Sequence, residues 1–394
     1  MTRQHYLSSR MMIFFIAFMN MFIPLSTDLY LPALPEMGNY FSAGQALVSL
    51  TLTVFFFVFA VSLVLFGPLS DKYGRKPVLV AGASLYTAAS LGCALAPDIY
   101  LLIAGRIFQA VGSGAVITVS TALIKDCFRG TVMTKILAIT QALGVIAPMA
   151  APLIGGFLLT FTSWRGSFFL LTALGTVNLI LALLLTETLL PDRRYQGKVL
   201  SSLSLLLAVG KQKSFMQILV MFSLLSAPYM AYLSLSSFVY IETFSLSAQE
   251  YSYYFAVNSA ASIAGPFLYL HLRQRLSKPS LTRLCFSVAA ASGVLVLLPG
   301  HGGPLPFLLS FLPFTAIGAV ARPFSMNWLL EETKEHVGTA SSVINFVQTF
   351  FGSLGMMAGS LPWHDSVSGL GIIMLAAVSM AVLLWQRVRK SVHL

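Results

Sequence analysis

Charged residues are scarce in this chain. Of its 394 residues, 9% are Asp, Glu, Lys or Arg and 57% are hydrophobic, whereas a soluble domain carries about 25% charged residues. This composition excludes an ordinary soluble domain. The long apolar runs indicate a protein that crosses a membrane many times, and their continuity, without strict alternation, favours helices over a β-barrel.

Cysteine, histidine and phosphate-binding motifs are also sparse. Cys93, Cys127 and Cys285 lie far apart and form no C-x-x-C pair, so the sequence offers neither a disulfide framework nor a thiolate metal site. The six histidines show no i, i+4 pair, and we expect no bound metal. A glycine-rich P-loop is missing, which argues against ATP as an energy source.

Apolar runs fill most of the chain instead. Twelve runs of about 20 residues or more are long enough to cross a hydrocarbon core of about 30 Å. We therefore predict an all-α membrane protein with twelve transmembrane helices. The first run has a basic start but contains Asp28 and lacks a convincing cleavage site, so we expect an uncleaved helix. The predicted bounds are 11–33, 45–66, 77–95, 99–123, 134–160, 167–186, 216–240, 251–272, 281–299, 304–327, 337–360 and 367–386.

The few charges are mostly basic, with a formal net charge of +11. When the N-terminus is placed in the cytoplasm, every Lys and Arg except Arg106 and Arg165 falls near the inner side. This asymmetry follows the positive-inside rule and predicts that both termini are cytoplasmic. The basic charge is therefore explained by topology, and we expect no nucleic-acid partner.

One long polar segment divides the chain in two. We predict an N-terminal six-helix half (1–186), a cytoplasmic central loop (187–215) and a C-terminal six-helix half (216–394). Within the loop, VLSSLSLLLAVG predicts an amphipathic helix on the membrane surface. The halves are weakly similar: SDKYGRKP matches LRQRLSKPS, and APLIGG faintly matches FGSLG. Two similar halves are typical of secondary transporters, with a substrate site near the midplane between them.

A charged stretch, GPLSDKYGRKP, joins the second and third predicted helices. Gly74 permits a tight turn, and the basic residues hold that turn in the cytosol. The stretch resembles the signature of the major facilitator superfamily, in which it forms a latch between the halves together with an acid at the inner end of helix 4. The resemblance assigns this conformational latch to Gly67, Asp71, Gly74, Arg75, Lys76 and Asp126.

Helix 4 carries AGRIFQAVGSGAV, which resembles the R-x-x-Q-G-x-G motif of the same superfamily, with Ala110 in place of the first glycine. An arginine within a span is costly and needs a partner. Asp28 of helix 1 lies at a similar depth, given a rise of about 1.5 Å per residue. We predict that Asp28 and Arg106 couple transport to protons. A solvent-edge aspartate beside a snorkelling arginine is the alternative.

Helix 5 carries GVIAPMAAPLIGGFL, which is similar to the antiporter motif of the superfamily at Pro148, Pro152, Gly155 and Gly156. Small residues allow close helix packing and proline bends a helix, so this seam is expected to limit leakage. Simple packing is the alternative. With TDLYLPALP and GTASSVINFVQ, these motifs make the whole chain resemble the Bcr/CflA-type drug:proton antiporters.

This resemblance implies an exporter of small amphiphilic drugs in the bacterial inner membrane. The resemblance further implies a protein that works by alternating access, is not an enzyme, and needs no cofactor beyond the coupling proton. We expect a monomer whose partners are the lipid bilayer and a small-molecule substrate. Because one Asp faces one Arg, we expect neutral, zwitterionic or weakly anionic substrates.

Four other functions remain open at this point. One is an exporter dedicated to an endogenous metabolite, such as a siderophore-like compound. Another is a proton-coupled importer, which the helix 5 motif disfavours. A third is a membrane enzyme, for which His364 and Asp365 have no further partner nearby in the sequence. The last is a non-transporting receptor, which would not need Arg106 within a span.

Polar and aromatic residues within the predicted spans are candidates for the substrate cavity, although each of them is also compatible with packing. Asn20 and Asp28 are eight residues apart and share a helix face. An apolar cavity with few polar groups suits drug-sized ligands. The cavity candidates are Asn20, Tyr30, Gln109, Tyr229, Tyr232, Asn258, Asn345 and Gln348, with further aromatic walls from Tyr253, Tyr254, Phe346 and Phe350.

Overall fold

The computed structural model describes residues 4–197, 210–332 and 337–391, and within these ranges the chain is helical and has no strand. Ten helical segments of the described chain are long and apolar enough to cross a membrane. The all-α membrane fold predicted from the sequence is confirmed. The helices are α1 Ser9–Phe41, α2 Gln45–Tyr73, α3 Arg75–Ala94, α4 Ile99–Cys127, α5 Gly130–Leu158, α6 Trp164–Leu184, α7 Lys213–Thr243, α8 Ala248–Ala261 with Ala264–Leu272, α9 Lys278–Leu297, α10 Pro304–Glu332, α11 Val337–Gly359 and α12 Ser366–Arg389.

The two predicted spans that are not among these ten have helices at the expected places. The eighth is interrupted at residues 262–263 and consists of two shorter helices, while the eleventh is α11. Most of the predicted amphipathic segment in the central loop lies outside the described residues.

The structure corrects the predicted shape of the charged turn. Helix α2 continues to Tyr73 and α3 begins at Arg75, so the chain reverses at Gly74 alone. The φ angle of Gly74 is +103°, a conformation that glycine adopts without steric penalty. Because α2 and α3 are separated by this single residue, the charged side chains of the motif lie on the ends of the two helices and not on a loop.

The chain forms two compact units. The first comprises Met1–Ala33 and Val54–Ser204, and the second comprises Leu34–Thr53 and Leu205–Leu394. The apolar core of the first unit includes Phe15 of α1, which is fully buried. A Cβ atom built on Gly112 of α4 would lie 2.7 Å from the backbone nitrogen of Tyr86 in α3. Small residues therefore allow α3 and α4 to pack closely, as is usual between membrane helices.

The second unit has a core rich in aromatic rings. Tyr232 of α7 stacks on Phe311 of α10 with the ring centroids 4.1 Å apart. Tyr240 packs edge-on against Phe307 at 5.3 Å. Such pairs add to the free energy that surface burial alone supplies, and they join α7 to α10.

Candidate functional site

The first helix is broken directly after Asp28. An α-helical segment ends at Asp28, and a short 3-10 helix, Leu31–Ala33, follows. Pro32 lacks the backbone N–H that a continuous α-helix would need. The Asp28 side chain is almost fully buried, with 4% of its surface exposed. Its Oδ1 atom accepts a hydrogen bond of 2.8 Å from the Thr27 hydroxyl, so the carboxyl group is held within the helix break.

Arg106 of α4 lies fully buried in the same unit. Its Nη1 atom donates to the backbone carbonyl of Ser26 at 2.9 Å and to the side-chain oxygen of Gln109. Its guanidinium carbon lies 4.8 Å from the ring centre of Tyr30 and 4.2 Å from that of Phe55. Cation–π contacts and charged hydrogen bonds thus offset part of the free energy of burying this cation.

The predicted direct pair of Asp28 and Arg106 is not the arrangement found. Within the described part of the chain, no ion pair joins these two residues. Arg106 instead bonds to Ser26, two residues before Asp28. An estimate of depth from the sequence places two residues at one level, but it does not fix the direction of their side chains. Their role in proton coupling stays a prediction.

The surroundings of Arg106 include residues that the sequence analysis missed. Gln109 donates from Nε2 to the Ser90 hydroxyl at 2.7 Å, and the hydroxyl groups of Ser26 and Tyr86 are 2.7 Å apart. Phe55 and Phe168 also face the guanidinium group. Ser90 and Tyr86 lie four residues apart on one face of α3, and this spacing was the one signal available in the sequence.

The motif of α5 contacts α1 beside Asp28. Pro152, Gly155 and Gly156 are buried and Pro148 is partly buried. A Cβ atom on Gly155 would collide with the backbone carbonyl of Leu29. Only a glycine allows the backbones of α1 and α5 to approach so closely there. The expected role of this seam in limiting leakage stays a prediction.

The structure brings together three charged residues of the predicted latch. Arg75 contacts Asp71 at 2.6 Å and Asp126 at 3.0 Å. Arg75 is 9% exposed, so its charge is largely withdrawn from solvent and compensated by two carboxylates. Gly67 lies within α2, two helical turns before Gly74. A latch between the two halves stays a prediction.

Glu187, which follows α6, is a partner of this cluster that the sequence analysis missed. Its carboxylate accepts hydrogen bonds from the backbone nitrogens of Arg75 at 3.0 Å and Lys76 at 3.2 Å. An acidic group at a helix N-terminus satisfies free N–H groups and the helix dipole. Thr188 donates to Asp126 at 3.2 Å. The start of the central loop is therefore bonded to the charged cluster.

The remaining cavity candidates differ in their surroundings. Asn20 donates to the Ile16 carbonyl and to the Ser120 hydroxyl, both at 2.8 Å, and so joins α1 to α4. The Oδ1 atom of buried Asn258 accepts from Thr315 at 2.8 Å. These hydrogen bonds join neighbouring helices, as packing contacts do, and a role of Asn20 and Asn258 in substrate binding stays a prediction. Tyr232 is buried in the aromatic core, Tyr229 and Gln348 are half-buried, and Asn345 is exposed.

No cluster of three or more His, Cys, Asp or Glu residues suited to a metal ion occurs among the described residues. The ionisable groups of the candidate site are Asp28 and Arg106, and their neighbours are hydroxyl, amide and aromatic groups. This arrangement is chemically suited to binding and releasing a proton at a carboxyl group.

The sequence is similar to those of several bacterial membrane proteins. It is 31% identical to an uncharacterised MFS-type transporter, YdgK, of Bacillus subtilis over 337 residues, 84% of each chain. It is 24% identical to a bicyclomycin resistance protein homolog of Haemophilus influenzae, covering 93% of each chain. It is 26% identical to the multidrug resistance protein MdtL of Escherichia coli, covering 88% of this chain and 86% of the relative. The resemblance stated from the motifs is thereby confirmed.

Solved transporter structures share the fold. The nucleoside transporter NupG gives a TM-score of 0.73 at 13% identity, covering 97% of this chain and 99% of its own. A D-xylose–proton symporter gives 0.72 at 14% identity, covering 96% and 98%. The family model of the Major Facilitator Superfamily matches residues 12–356. With its helical fold, its motifs and these relatives, the chain belongs to the major facilitator superfamily, a family of membrane transporters and not of enzymes.

Proposed function

We propose that this transporter is a proton-coupled exporter of small amphiphilic compounds, drugs among them. The observation that carries the proposal is the buried carboxyl group of Asp28 at a helix break, two residues from the Ser26 carbonyl that binds Arg106. Ionisable residues within membrane helices are costly and usually functional. The relatives named for multidrug and bicyclomycin resistance support the direction and the type of substrate.

In this proposal Asp28 takes up a proton from one side of the membrane and releases it to the other. Arg106 is held by Ser26, Gln109 and the flanking rings, so its positive charge stays in place while Asp28 changes its protonation state. The contact of Gly155 with Leu29 transmits movement of α5 to the turn that carries Asp28. The membrane potential adds about 2.3 kcal/mol per charge per 100 mV.

The substrates we propose are neutral, zwitterionic or weakly anionic amphiphiles. The buried charged residues among the described ranges are Asp28, Arg75 and Arg106. A permanently cationic substrate would lack a spare acidic partner. We further propose a monomer in the bacterial inner membrane, with both termini in the cytoplasm as the distribution of Lys and Arg predicts. A transport assay that shows strong preference for permanently cationic dyes would contradict the proposed substrate class.

Substrate-driven proton movement tests the proposal. Everted membrane vesicles with a preformed pH gradient receive candidate compounds, and the gradient is followed with a fluorescent probe. We expect an active compound to dissipate the gradient in the wild type and in the control variant Asp98→Asn, but not in Asp28→Asn. Asp98 caps α4 by accepting from Tyr100 and Leu101, and Asn is a comparable cap.

Two outcomes would overturn the proposal. If Asp28→Asn still dissipates the gradient on addition of the compound, the coupling proton binds elsewhere. If the wild type and Asp28→Asn both transport the compound with no change in the gradient, transport is not coupled to protons. Correct insertion of each variant is checked by its amount in the membrane and its elution in size-exclusion chromatography.

A further inference from the structure

An apolar groove runs along the surface of the first unit between the ends of α3 and α4. Its volume is about 460 Å³, and it is lined by Ala88, Gly92 and Ala96 on one side and by Leu101 and Phe108 on the other. Ala88 and Gly92 lie four positions apart on one face of α3, and Ala96 follows the end of that helix. Because their side chains are small, the two helices leave a depression between them.

The groove is a local opening between helices that otherwise pack tightly. A Cβ atom on Gly92 would meet no atom within 4 Å. On the same pair of helices, a Cβ atom on Gly105 would lie 2.6 Å from the sulfur of Cys93, and one on Gly82 would lie 2.5 Å from Ala115. The space at Gly92 therefore reflects the shape of this surface and not loose packing of α3 against α4.

Large apolar side chains form the walls of the groove. Leu95, Leu101 and Phe108 are 60%, 54% and 55% exposed in the protein. Because α3 and α4 are membrane helices, these exposed surfaces lie in or beside the hydrocarbon region, where the occupant of a groove must itself be apolar.

An arginine lies at one end of the groove. Arg165, in the first turn of α6, donates from Nη2 to the backbone carbonyl of Ala96 at 2.8 Å. Its guanidinium carbon lies 4.3 Å from the ring centre of Trp164. Arg165 is also one of the two basic residues that depart from the charge distribution of the chain. The structure thus fixes a positive charge beside the end of the groove at Ala96.

The neighbouring acid is already engaged. Asp98, in the turn between α3 and α4, accepts hydrogen bonds of 2.9 Å from the backbone nitrogens of Tyr100 and Leu101. Its negative charge is directed at the N-terminus of α4, where it is stabilised by the helix dipole. The groove therefore combines an apolar trough with a cation at its end.

We infer that this groove binds an anionic phospholipid, with an acyl chain along Gly92 and the phosphate group at Arg165. Guanidinium groups bind phosphate oxygens with paired, charge-assisted hydrogen bonds. The volume of the groove falls within the range of about 300–1,000 Å³ typical of small-ligand sites. Basic residues beside membrane helices recognise lipid headgroups by the same chemistry.

Photochemical labelling tests this inference on the full-length protein. The protein is reconstituted in vesicles of phosphatidylethanolamine and phosphatidylglycerol that contain a phosphatidylglycerol with a diazirine on its acyl chain. After irradiation, labelled peptides are identified by mass spectrometry. We expect labels within residues 85–108 of the wild type.

Two variants test the acyl-chain contact and the phosphate contact separately. Gly92→Leu fills the groove, and we expect about tenfold less labelling, equivalent to excluding about two methylene groups. Arg165→Gln removes the cation, and we expect about fivefold less labelling. Gly318→Leu is the control, because a Cβ atom at Gly318 also meets no atom within 4 Å but lies on α10. We expect its labelling within residues 85–108 to match that of the wild type.

Three outcomes overturn the inference. Equal labelling of residues 85–108 in Gly92→Leu and the wild type shows that the groove is not the site. Equal labelling in Arg165→Gln shows that the phosphate is not bound there. Equal labelling of residues 85–108 by a phosphatidylethanolamine that carries the same diazirine shows that the groove does not select an anionic lipid. Size-exclusion chromatography of each variant confirms that it is folded.

Discussion

The two units use the same packing contact at equivalent places in their helix order. In the first unit, Gly155 of α5 lies against the backbone carbonyl of Leu29 in α1. In the second unit, Gly355 of α11 lies against the backbone carbonyl of Ala227 in α7. Each pair joins the first and the fifth helix of a six-helix series. The faint sequence match of APLIGG and FGSLG thus corresponds to a shared close approach of backbones.

A second shared feature is the ion pair at the charged turns. Arg75, at the start of α3, bonds to Asp126 near the end of α4 at 3.0 Å. Lys278, at the start of α9, bonds to Glu331 near the end of α10 at 2.6 Å. The side chains of the first pair are 10% and 21% exposed, whereas those of the second are 41% and 63% exposed. The same position therefore carries a largely buried pair in one unit and a solvated pair in the other.

The units differ most in their buried charges. Within the described residues, the buried charged side chains are Asp28, Arg75 and Arg106, all in the first unit. The second unit buries Asn258, hydroxyl groups and stacked aromatic rings. The close helix packing is therefore common to both units, whereas the buried charged side chains of the described residues lie in the first. Three predictions test this division.

The largest effect is expected where a side chain is added at the shared glycine contact. In Gly155→Val and Gly355→Val the new atoms meet a backbone carbonyl, which cannot rotate away. We expect each substitution to lower the free energy of unfolding by about 3 kcal/mol, the upper end of the range usual for an added side chain in a packed core. Thermal unfolding of the purified proteins in detergent measures this, with Gly318→Val as the control at an open position. A stable Gly355→Val beside an unstable Gly155→Val would show that the two contacts are not equivalent.

An intermediate effect is expected from the ion pairs. Arg75→Ala leaves Asp126 in a poorly solvated site, and we expect a loss of about 1.5–3 kcal/mol in the free energy of unfolding. Lys278→Ala breaks an exposed pair, for which about 0–1 kcal/mol is expected. The two variants are compared by thermal unfolding at low and high salt. Equal losses of stability in the two variants would mean that the greater burial of the Arg75 pair does not increase its contribution to stability.

The smallest effect concerns the loop acids Asp98 and Asp365, each of which caps a following helix. Partial burial raises the pKa of Asp365, but hydrogen bonds from Ser368, His301 and Val367 outweigh this, so that the pKa lies below its ordinary value. A lowered pKa stabilises the folded state above the unfolded pKa, about 3.9, and this contribution is lost as the pH falls through the folded pKa.

We therefore expect Asp365→Asn to destabilise the protein by less than about 1 kcal/mol at neutral pH, and the difference from the wild type to disappear in acid. Asp98→Asn is the matched control and should differ little at either pH, because Asn caps helices as well as Asp does. Melting temperatures at neutral and acidic pH measure both. If Asp365→Asn is still less stable than the wild type in acid, the lowered pKa of Asp365 is not the source of its contribution to stability.

The sequence predicted the site in part. The motifs identified Arg106, Gln109 and Asp28, and the structure places Tyr30 and Gln109 beside Arg106. The sequence did not identify Ser26, Phe55 or Phe168 as its neighbours, because aromatic and hydroxyl residues are common in membrane helices and these carry no distinguishing spacing. It also missed Glu187, whose contact with α3 depends on the path of the chain after α6.

By itself, the sequence determined the class of protein, the order of its membrane helices and the family of the chain, because the bilayer sets the length of an apolar run that can cross it. It also indicated a tight turn at Gly74, since glycine readily adopts the positive φ that such a turn can require. The tertiary structure alone decided that Arg106 bonds to the Ser26 carbonyl instead of the Asp28 carboxylate, and that α3 and α4 open into a groove at Gly92. Those outcomes depend on side-chain direction and on the fit of whole helices, which arise from contacts between distant segments and leave no local signal in the chain.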